Sequence, residues 1–398
     1  MDLLSVAATL DTKLWAYAGF LALVVVLLAL DLGVFHRKAH EVSMKEAVSW
    51  SVVWISVGLS FAAVVYLAYE RHWLGLGLDT PMYNPVRDPS APTIVTGIVS
   101  GAEAAKQYLT GYVVEKSLAM DNIFVIAMIF GFFAVPAKYQ HRVLFWGIVG
   151  ALVMRGGMIF LGAELVMHYT WVLILFGAFL LATAAKMALL KPSENVGDNV
   201  VVRTVKRLLP LREFYDGQRF FTRRTEAPVY RPDPATGEAV AAPPAPGTLG
   251  AWAMTPLFLA LIMVEVTDLV FAVDSIPAIF AITPDPFIVF SSNIFAILGL
   301  RSLYFCLAAL IQKFRYLKPA LIVILAFVGI KLLLLSAPPY LDDLLGLVGI
   351  SAGPFAPIKI DTLVSLVAVL STLAAAVVAS VLARRRSTGQ ASTMTTAN

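Results

Sequence analysis

Long runs of apolar residues, separated by short polar connections, dominate the chain. Nine of these runs reach the length of about 17–25 residues that an α-helix needs to cross a bilayer. They cover about 14–34, 48–68, 107–131, 143–163, 168–189, 252–281, 287–311, 319–336 and 361–382. The pattern predicts an all-α polytopic membrane protein with about nine transmembrane helices.

The composition supports this class. The 398 residues are 59% hydrophobic and only 14% charged, whereas soluble domains average about 45–50% apolar and about 25% charged residues. The net charge of +4 comes from basic residues in the connections, so the expected partner is the lipid bilayer and not a nucleic acid. The single cysteine, Cys306, excludes a disulfide framework within the chain and a thiolate metal cluster. The first apolar run lacks a basic start and a clear cleavage site, so we interpret it as a transmembrane helix.

The distribution of charge predicts the orientation. Basic connections, such as His36–Ala47 and the segment that follows the last span, alternate with neutral or acidic ones. By the positive-inside rule the N-terminus lies outside and the C-terminus lies in the cytoplasm. The expected location is the inner or plasma membrane. The long, basic and proline-rich connection Leu190–Gly250 is then cytoplasmic.

Two of the predicted spans, the third and the sixth, contain charged residues at bilayer depth. The charged residues of these spans, with one asparagine beside them, are Glu115, Lys116, Asp121, Asn122, Glu265, Asp268 and Asp274. A charged side chain at the centre of a bilayer costs at least about 2.5–3.5 kcal/mol on insertion scales, so such residues usually mark a pathway or a site. We therefore expect a cation-binding centre between the two helices.

The same two helices each begin a block of three spans, 107–189 and 252–336, and they cross the membrane in opposite directions. The matched positions are Asp121 with Asp274, Glu115 with Asp268, and Arg155 with Arg301 as the arginine of each second helix. This predicts an inverted 3+3 repeat, whose ion sites are expected near the midplane. The predicted division of the chain is 1–106, 107–189, 190–251, 252–336 and 337–398.

Carboxylate and backbone oxygens suit Mg²⁺, Ca²⁺ or Mn²⁺, and the lack of nearby Cys and His argues against Zn²⁺ or Cu²⁺. Glu265 and Asp268 share one helix face. Glu115 and Asp121 lie about 120° apart on a helix, so either the acids form two sites or the backbone loosens beside them. Pro256 and Pro277 favour such loosening in the sixth span. The predicted metal ligands are Glu115, Asp121, Asn122, Glu265, Asp268 and Asp274.

Several other polar residues are candidates for supporting roles, and for two of the acids an alternative interpretation stays open. We expect Lys116, Arg155, Ser275 and Arg301 to support the acids, the two arginines as counter-charges. Glu115 could instead form an ordinary ion pair with Lys116, Arg155 or Lys186. Asp31 could line the pathway or lie at the membrane interface.

Five segments resemble the TerC/Alx family of integral membrane proteins. They are FHRKAHEVSMKEA (Phe35–Ala47), EKSLAMDNIFV (Glu115–Val125), QHRVLFWGIVGALVMRG (Gln140–Gly156), TPLFLALIMVEVTDLVFAVDSIPAIFAIT (Thr255–Thr283) and SNIFAILGLRSLYF (Ser292–Phe305). The family is named for tellurium resistance, and the resemblance implies export of manganese. It also implies that Glu115, Asp121, Asn122, Asp268 and Asp274 handle the metal. Many relatives have a serine where this chain has Ala119, which would leave one ligand fewer.

The leading hypothesis is a Mn²⁺ exporter that works by alternating access at a midplane carboxylate site and is coupled to protons, with no resident cofactor and no enzymatic activity. A scaffold that delivers metal to exported proteins is a second possibility. An intramembrane aspartyl protease is a third, suggested by two membrane aspartates and by Pro319–Leu321. Such proteases would carry a Gly-x-Gly-Asp sequence, which this chain lacks.

Overall fold

A computed structural model describes residues 3–33, 43–84, 92–189, 204, 207, 210–228, 230–232, 239–241, 249–308, 316–338, 340–341 and 357–395. Helices dominate this part of the chain. They are α1 (Leu3–Gly33), α2 (Met44–Glu70), α3 (Gly101–Phe132), α4 (Ala137–His168), α5 (Val172–Leu189), α6 (Pro256–Phe280), α7 (Pro286–Ile297), α8 (Leu300–Ala308), α9 (Leu317–Ser336) and α10 (Thr362–Thr395). The predicted class, an all-α polytopic membrane protein, is confirmed.

Three small antiparallel sheets, each of two strands, lie between the helices. Their strands pair as β1 (Thr80–Tyr83) with β2 (Ile94–Gly97), β3 (Phe221–Arg224) with β6 (Leu249–Met254), and β4 (Tyr230–Pro232) with β5 (Ala239–Ala241). β6 occupies residues that the hydropathy pattern had assigned to the start of the sixth span. That span therefore begins at Pro256, where the chain changes from strand to helix.

Seven helices of the described chain are long and apolar enough to cross a membrane, and the bent pair α7–α8 makes eight if it forms one span. α3, with 32 residues, is long enough to span a membrane. It is not among the seven because its charged residues Glu115, Lys116 and Asp121 lower its apolar character. The total of nine spans stays a prediction.

The helices pack as pairs across the two predicted blocks. α3 packs against α6 and α7, α4 against α6, and α5 against α9. α5 and α9 cross at two glycines: a Cβ atom on Gly177 would lie 3.2 Å from the carbonyl oxygen of Gly329, and one on Gly329 would lie 3.1 Å from that of Gly177. This pairing is what a two-fold arrangement of the blocks requires, although the inverted repeat itself stays a prediction.

Part of the long connection folds onto the bundle. Leu211, Tyr215 and Phe220 pack against the apolar cluster at the end of the bundle where α3 meets α4. The Tyr215 hydroxyl donates a hydrogen bond of 2.6 Å to the Phe133 carbonyl. Burial raises the pKa of Tyr215 to about 12, so this donor stays protonated at neutral pH. The segment before β3 is therefore a packed cap on the bundle.

The expected loosening of the sixth span is not observed. α6 is continuous from Pro256 to Phe280. Pro256 lies in its first turn, where the missing N–H has no helical partner to lose, and Pro277 lies in its last turn. The acids of α6 therefore project from a regular helix.

The break occurs instead in the predicted span 287–311, which is not one straight helix. α7 and α8 meet at an angle of 43°. Gly299, at the junction, has a φ of +77°, a left-handed conformation that only glycine adopts at little cost. A Cβ atom on Gly299 would overlap the side chain of Trp54 in α2.

We predict that Gly299→Ala destabilises the protein, because the new Cβ is strained at positive φ and collides with Trp54. The strain alone costs about 1–2 kcal/mol. Thermal unfolding in detergent should show a lower Tm for this variant. Gly157→Ala is the control, since a Cβ at Gly157 meets nothing within 4 Å; equal melting of the two variants would contradict this account of the bend.

Candidate functional site

A buried network of polar side chains surrounds Arg155 in α4. Its Nε and Nη2 atoms donate hydrogen bonds of 3.1 and 3.0 Å to the two carboxylate oxygens of Asp268 in α6. Nη1 donates to Oε1 of Glu115 in α3. All three side chains are buried. One planar guanidinium thus binds one acid from each predicted block, with the paired geometry that makes Arg–carboxylate contacts strong.

Three neutral side chains complete this Arg155 network. Nη1 of Arg155 also donates to Ser275 Oγ at 3.1 Å and to Asn293 Oδ1 in α7 at 3.2 Å. Asn122 donates from Nδ2 to Asp268 Oδ1 at 2.8 Å. Four helices, α3, α4, α6 and α7, therefore meet at one charged centre.

The Arg155 network leaves oxygen atoms unused. Within the described part of the chain, Glu115 Oε2 and Asn122 Oδ1 are buried without a hydrogen-bond partner. Two carboxylates also face one guanidinium. The centre therefore has spare acceptor capacity of the kind that a proton or a cation would satisfy.

Lys116 follows Glu115 in the chain, but its side chain binds backbone carbonyls at the end of α7 and not the Arg155 network. Its Nζ atom donates to the Ala296 carbonyl at 2.9 Å and to the Leu298 carbonyl at 3.4 Å. These carbonyls lie at the C-terminal end of α7, where a positive charge is favourable. Lys116 thus stabilises the bend between α7 and α8.

Asp121 and Asp274 lie at a different place and share a small cavity, called the aspartate cavity below. Its volume is about 20 Å³, room for one water molecule or one ion. Thr183 of α5 donates to Asp274 Oδ1 at 2.9 Å. Among the described residues, Asp121 has no side-chain hydrogen bond and neither aspartate is in an ion pair. The residues that line the aspartate cavity are Leu118, Asp121, Met187, Phe271, Asp274, Leu321 and Leu325.

Glu265 has no hydrogen bond to either group in the described chain, although it interacts electrostatically with Asp268. It lies directly against Gly150 of α4, where any Cβ atom would overlap its carboxyl group. Its Oε2 atom is buried and has no hydrogen-bond partner among the described residues. Glu265 and Asp268 both face α4, in agreement with their spacing of three residues.

Arg301 does not take the role that its match with Arg155 predicted. It donates to Asp31 Oδ1 of α1 at 2.9 Å, and both side chains are buried. The prediction of a counter-charge to the acids of α3 and α6 is corrected to a counter-charge for the first helix. Asp31 is accordingly half of a buried ion pair between α1 and α8.

The six predicted ligands thus fall into three groups: the Arg155 network, the aspartate cavity, and Glu265 against Gly150. Among the residues that the structure describes, no three acidic, histidine or cysteine side chains are placed to hold one ion. The separation of Glu115 from Asp121 agrees with the two-site alternative.

Sequence reasoning missed Asn293 and Thr183. Each is a polar residue within an apolar run, which was the available signal.

Comparison with known proteins places the chain among membrane proteins. The family described as integral membrane protein TerC family matches residues 100–388. An uncharacterized membrane protein, STKORF319 of Myxococcus xanthus, is 42% identical over 84% of this chain and 90% of its own length. A putative membrane-bound redox modulator, Alx of Escherichia coli K12, is 42% identical over 80% of this chain and 86% of its own. No solved structure matches the chain significantly.

We predict that Arg155→Met strongly reduces the folded fraction, because it leaves two buried carboxylates without their counter-charge. Breaking a buried ion pair in this way costs about 3–5 kcal/mol. Adding Glu115→Gln and Asp268→Asn to Arg155→Met should recover much of the loss. Tm and the monodisperse fraction in detergent measure both effects; a stable single variant would show that the Arg155 network does not hold the helices together.

Gly150→Ala tests the position of Glu265. The added methyl group should push the Glu265 carboxyl group out of its place, and because this group is the end of a flexible side chain, the cost should lie near the lower end of the about 1–3 kcal/mol that overpacking takes. The double variant Gly150→Ala, Glu265→Ala should lose less stability than the sum of the two single variants, as a double-mutant cycle of unfolding measures. Strict additivity would mean that the two positions are not in contact.

Proposed function

We propose that this chain, which belongs to the TerC family of integral membrane proteins, exports a divalent cation across the inner membrane. The observation that carries the proposal is the aspartate cavity: Asp121 and Asp274, one from each predicted block, line one space of about 20 Å³. Two carboxylates at membrane depth with no ion pair in the described chain attract a cation strongly.

The position of the aspartate cavity supports loading from the cytoplasm. Leu321 and Leu325 of its wall lie about 6 and 12 Å along α9 from its first residue, at 1.5 Å per residue. Met187 lies in the last turn of α5. The charge pattern of the connections assigns these ends of α5 and α9 to the cytoplasmic side, so we propose that a cytoplasmic ion enters the aspartate cavity from these helix ends.

The Arg155 network lies beside the aspartate cavity at the same depth, because Asn122 and Ser275 of the network directly follow Asp121 and Asp274 in the chain. Its guanidinium repels a cation, so the two aspartates are the preferred position for the ion. Alternating access then consists of a movement of the two blocks that exposes the aspartates to the other side. Exchange of one divalent ion for two protons would leave the charge of the aspartate cavity unchanged, and we propose that exchange as the coupling.

Mn²⁺ is the proposed cargo. Carboxylate oxygens suit Mg²⁺, Ca²⁺ and Mn²⁺, and the family resemblance selects manganese among them. We do not expect an enzyme. A space of about 20 Å³ has no room for a peptide bond between the aspartates, which disfavours the protease hypothesis.

The name of the Alx relatives, putative membrane-bound redox modulator, suggests a second role. A dithiol mechanism within one chain requires two cysteines, whereas this chain has only Cys306. Export of a metal that takes part in oxidant chemistry would modulate the redox state indirectly. A scaffold or metal-delivery role, in contrast, would survive neutralisation of both aspartates.

We predict that Asp121→Asn and Asp274→Asn each abolish most Mn²⁺ flux in proteoliposomes, because each removes one of the two charges in the aspartate cavity. Glu164→Gln is the control, since the Glu164 side chain is 62% exposed. Tm should confirm that all variants fold. Normal flux in a well-folded Asp121→Asn, Asp274→Asn double variant would refute the proposed site.

A further inference from the structure

The wall of the aspartate cavity includes two helices outside the acidic motifs: α9 contributes leucines, and α5 contributes a methionine. Thr183 and Met187 are four residues apart on α5, so they share one face of that helix. Thr183 is bonded to Asp274, and Met187 lines the aspartate cavity itself. A hydroxyl group and a thioether therefore accompany the two carboxylates.

We propose that α5 completes the cation site, with Met187 as a thioether ligand that sets metal selectivity and Thr183 as a positioning residue for Asp274. This inference rests on the proposed function. The substrate class that it assigns is the first-row transition ions and their soft analogue Cd²⁺, in preference to Ca²⁺ and Mg²⁺.

The chemical reason is the contrast between hard and soft ligands. Carboxylates suit Mg²⁺, Ca²⁺ and Mn²⁺ alike, whereas thioether sulfur is a soft ligand that favours softer ions such as Cd²⁺ over Mg²⁺ and Ca²⁺. Specificity requires a group that penalises the competitor. Among the residues lining the aspartate cavity, Met187 is the one side chain that can do so.

The charges around the aspartate cavity agree with transient binding. Lys318 interacts electrostatically with Asp121, and Lys186 with Asp274. These two lysines offset the carboxylates at a longer range than an ion pair. A transport site has to bind its ion weakly enough to release it, so selectivity that comes from ligand type is preferable to selectivity that comes from extra charge.

Met187 also packs against neighbouring apolar side chains, and methionine commonly fills irregular gaps. Substitution of Met187 by leucine distinguishes the packing role from the role as a metal ligand. Leucine has nearly the same volume and is usually tolerated, but it cannot bind a metal. Met263→Leu is the matched control, because Met263 is a buried methionine of α6 that is absent from the wall of the aspartate cavity.

The experiment measures how Cd²⁺ and Ca²⁺ compete with Mn²⁺ flux in proteoliposomes. In Met187→Leu, Cd²⁺ should lose at least about tenfold of its inhibitory potency relative to the wild type, as changes around a metal site typically do, and Ca²⁺ should inhibit better. Met263→Leu should behave like the wild type. An unchanged order of competition in Met187→Leu would overturn the inference and leave the proposed function intact.

X-ray absorption of bound Cd²⁺ provides a second readout in a Cys306→Ser background, where methionine is the only sulfur source. A sulfur neighbour should be present in the background protein and in Met263→Leu, and absent from Met187→Leu. Its persistence in Met187→Leu would overturn the assignment of the ligand. Failure of the wild type to bind or move any divalent ion would refute the proposed function itself.

The positioning role of Thr183 is tested by comparing a variant that lacks the hydroxyl group with one that keeps it. Thr183→Val should raise the KM for Mn²⁺ without changing the Cd²⁺-to-Ca²⁺ order, because the carboxylate loses its orientation and the thioether remains. Thr183→Ser keeps the hydroxyl group and should restore the KM. Equal KM values for the valine and serine variants would overturn the positioning role.

Discussion

The pairing of one arginine with two acids fixes the centre of this bundle. Arg155 binds Glu115 and Asp268, which belong to α3 and α6. In a medium without water, separating any of these charges is costly, so the helices cannot slide past each other without breaking the network. This fixed register has a second effect: it brings Asp121 and Asp274, which directly precede Asn122 and Ser275 of the network in the chain, to one shared cavity.

The bend between α7 and α8 belongs to the same constraint. A straight helix would satisfy its own carbonyls, whereas the break at Gly299 leaves the Ala296 and Leu298 carbonyls to Lys116. α7 then presents Asn293 to Arg155. Lys116 and Arg155 therefore both bind α7, and each of these two buried side chains has oxygen atoms to which it donates hydrogen bonds.

Much of this could be predicted from the sequence, because apolar length and buried charge are local signals. The two acidic helices, their polar residues and the importance of Arg155 all followed from them. The ion-pair partner of each buried charge could not be predicted in the same way, because it depends on which helices are neighbours in space. Arg301 matched Arg155 by position, yet Asp31 lies closer in space, and no repeat alignment contains α1. The bend was missed because Gly299 lies in an apolar run without proline, and α5 was overlooked because threonine and methionine resemble ordinary lipid-facing residues.

The division of the acids among three places has a consequence for the proposed transport. If all six predicted ligands surrounded one ion, their combined charge would hold it too tightly to let it leave. Arg155 withdraws Glu115 and Asp268 from that role, and Lys186 and Lys318 moderate the remaining aspartates. A cavity with two carboxylates then attracts a cation without trapping it, which conduction requires. The buried ion pairs thus hold the helices in register, and the two aspartates that share the aspartate cavity are the charges that we propose for the cargo.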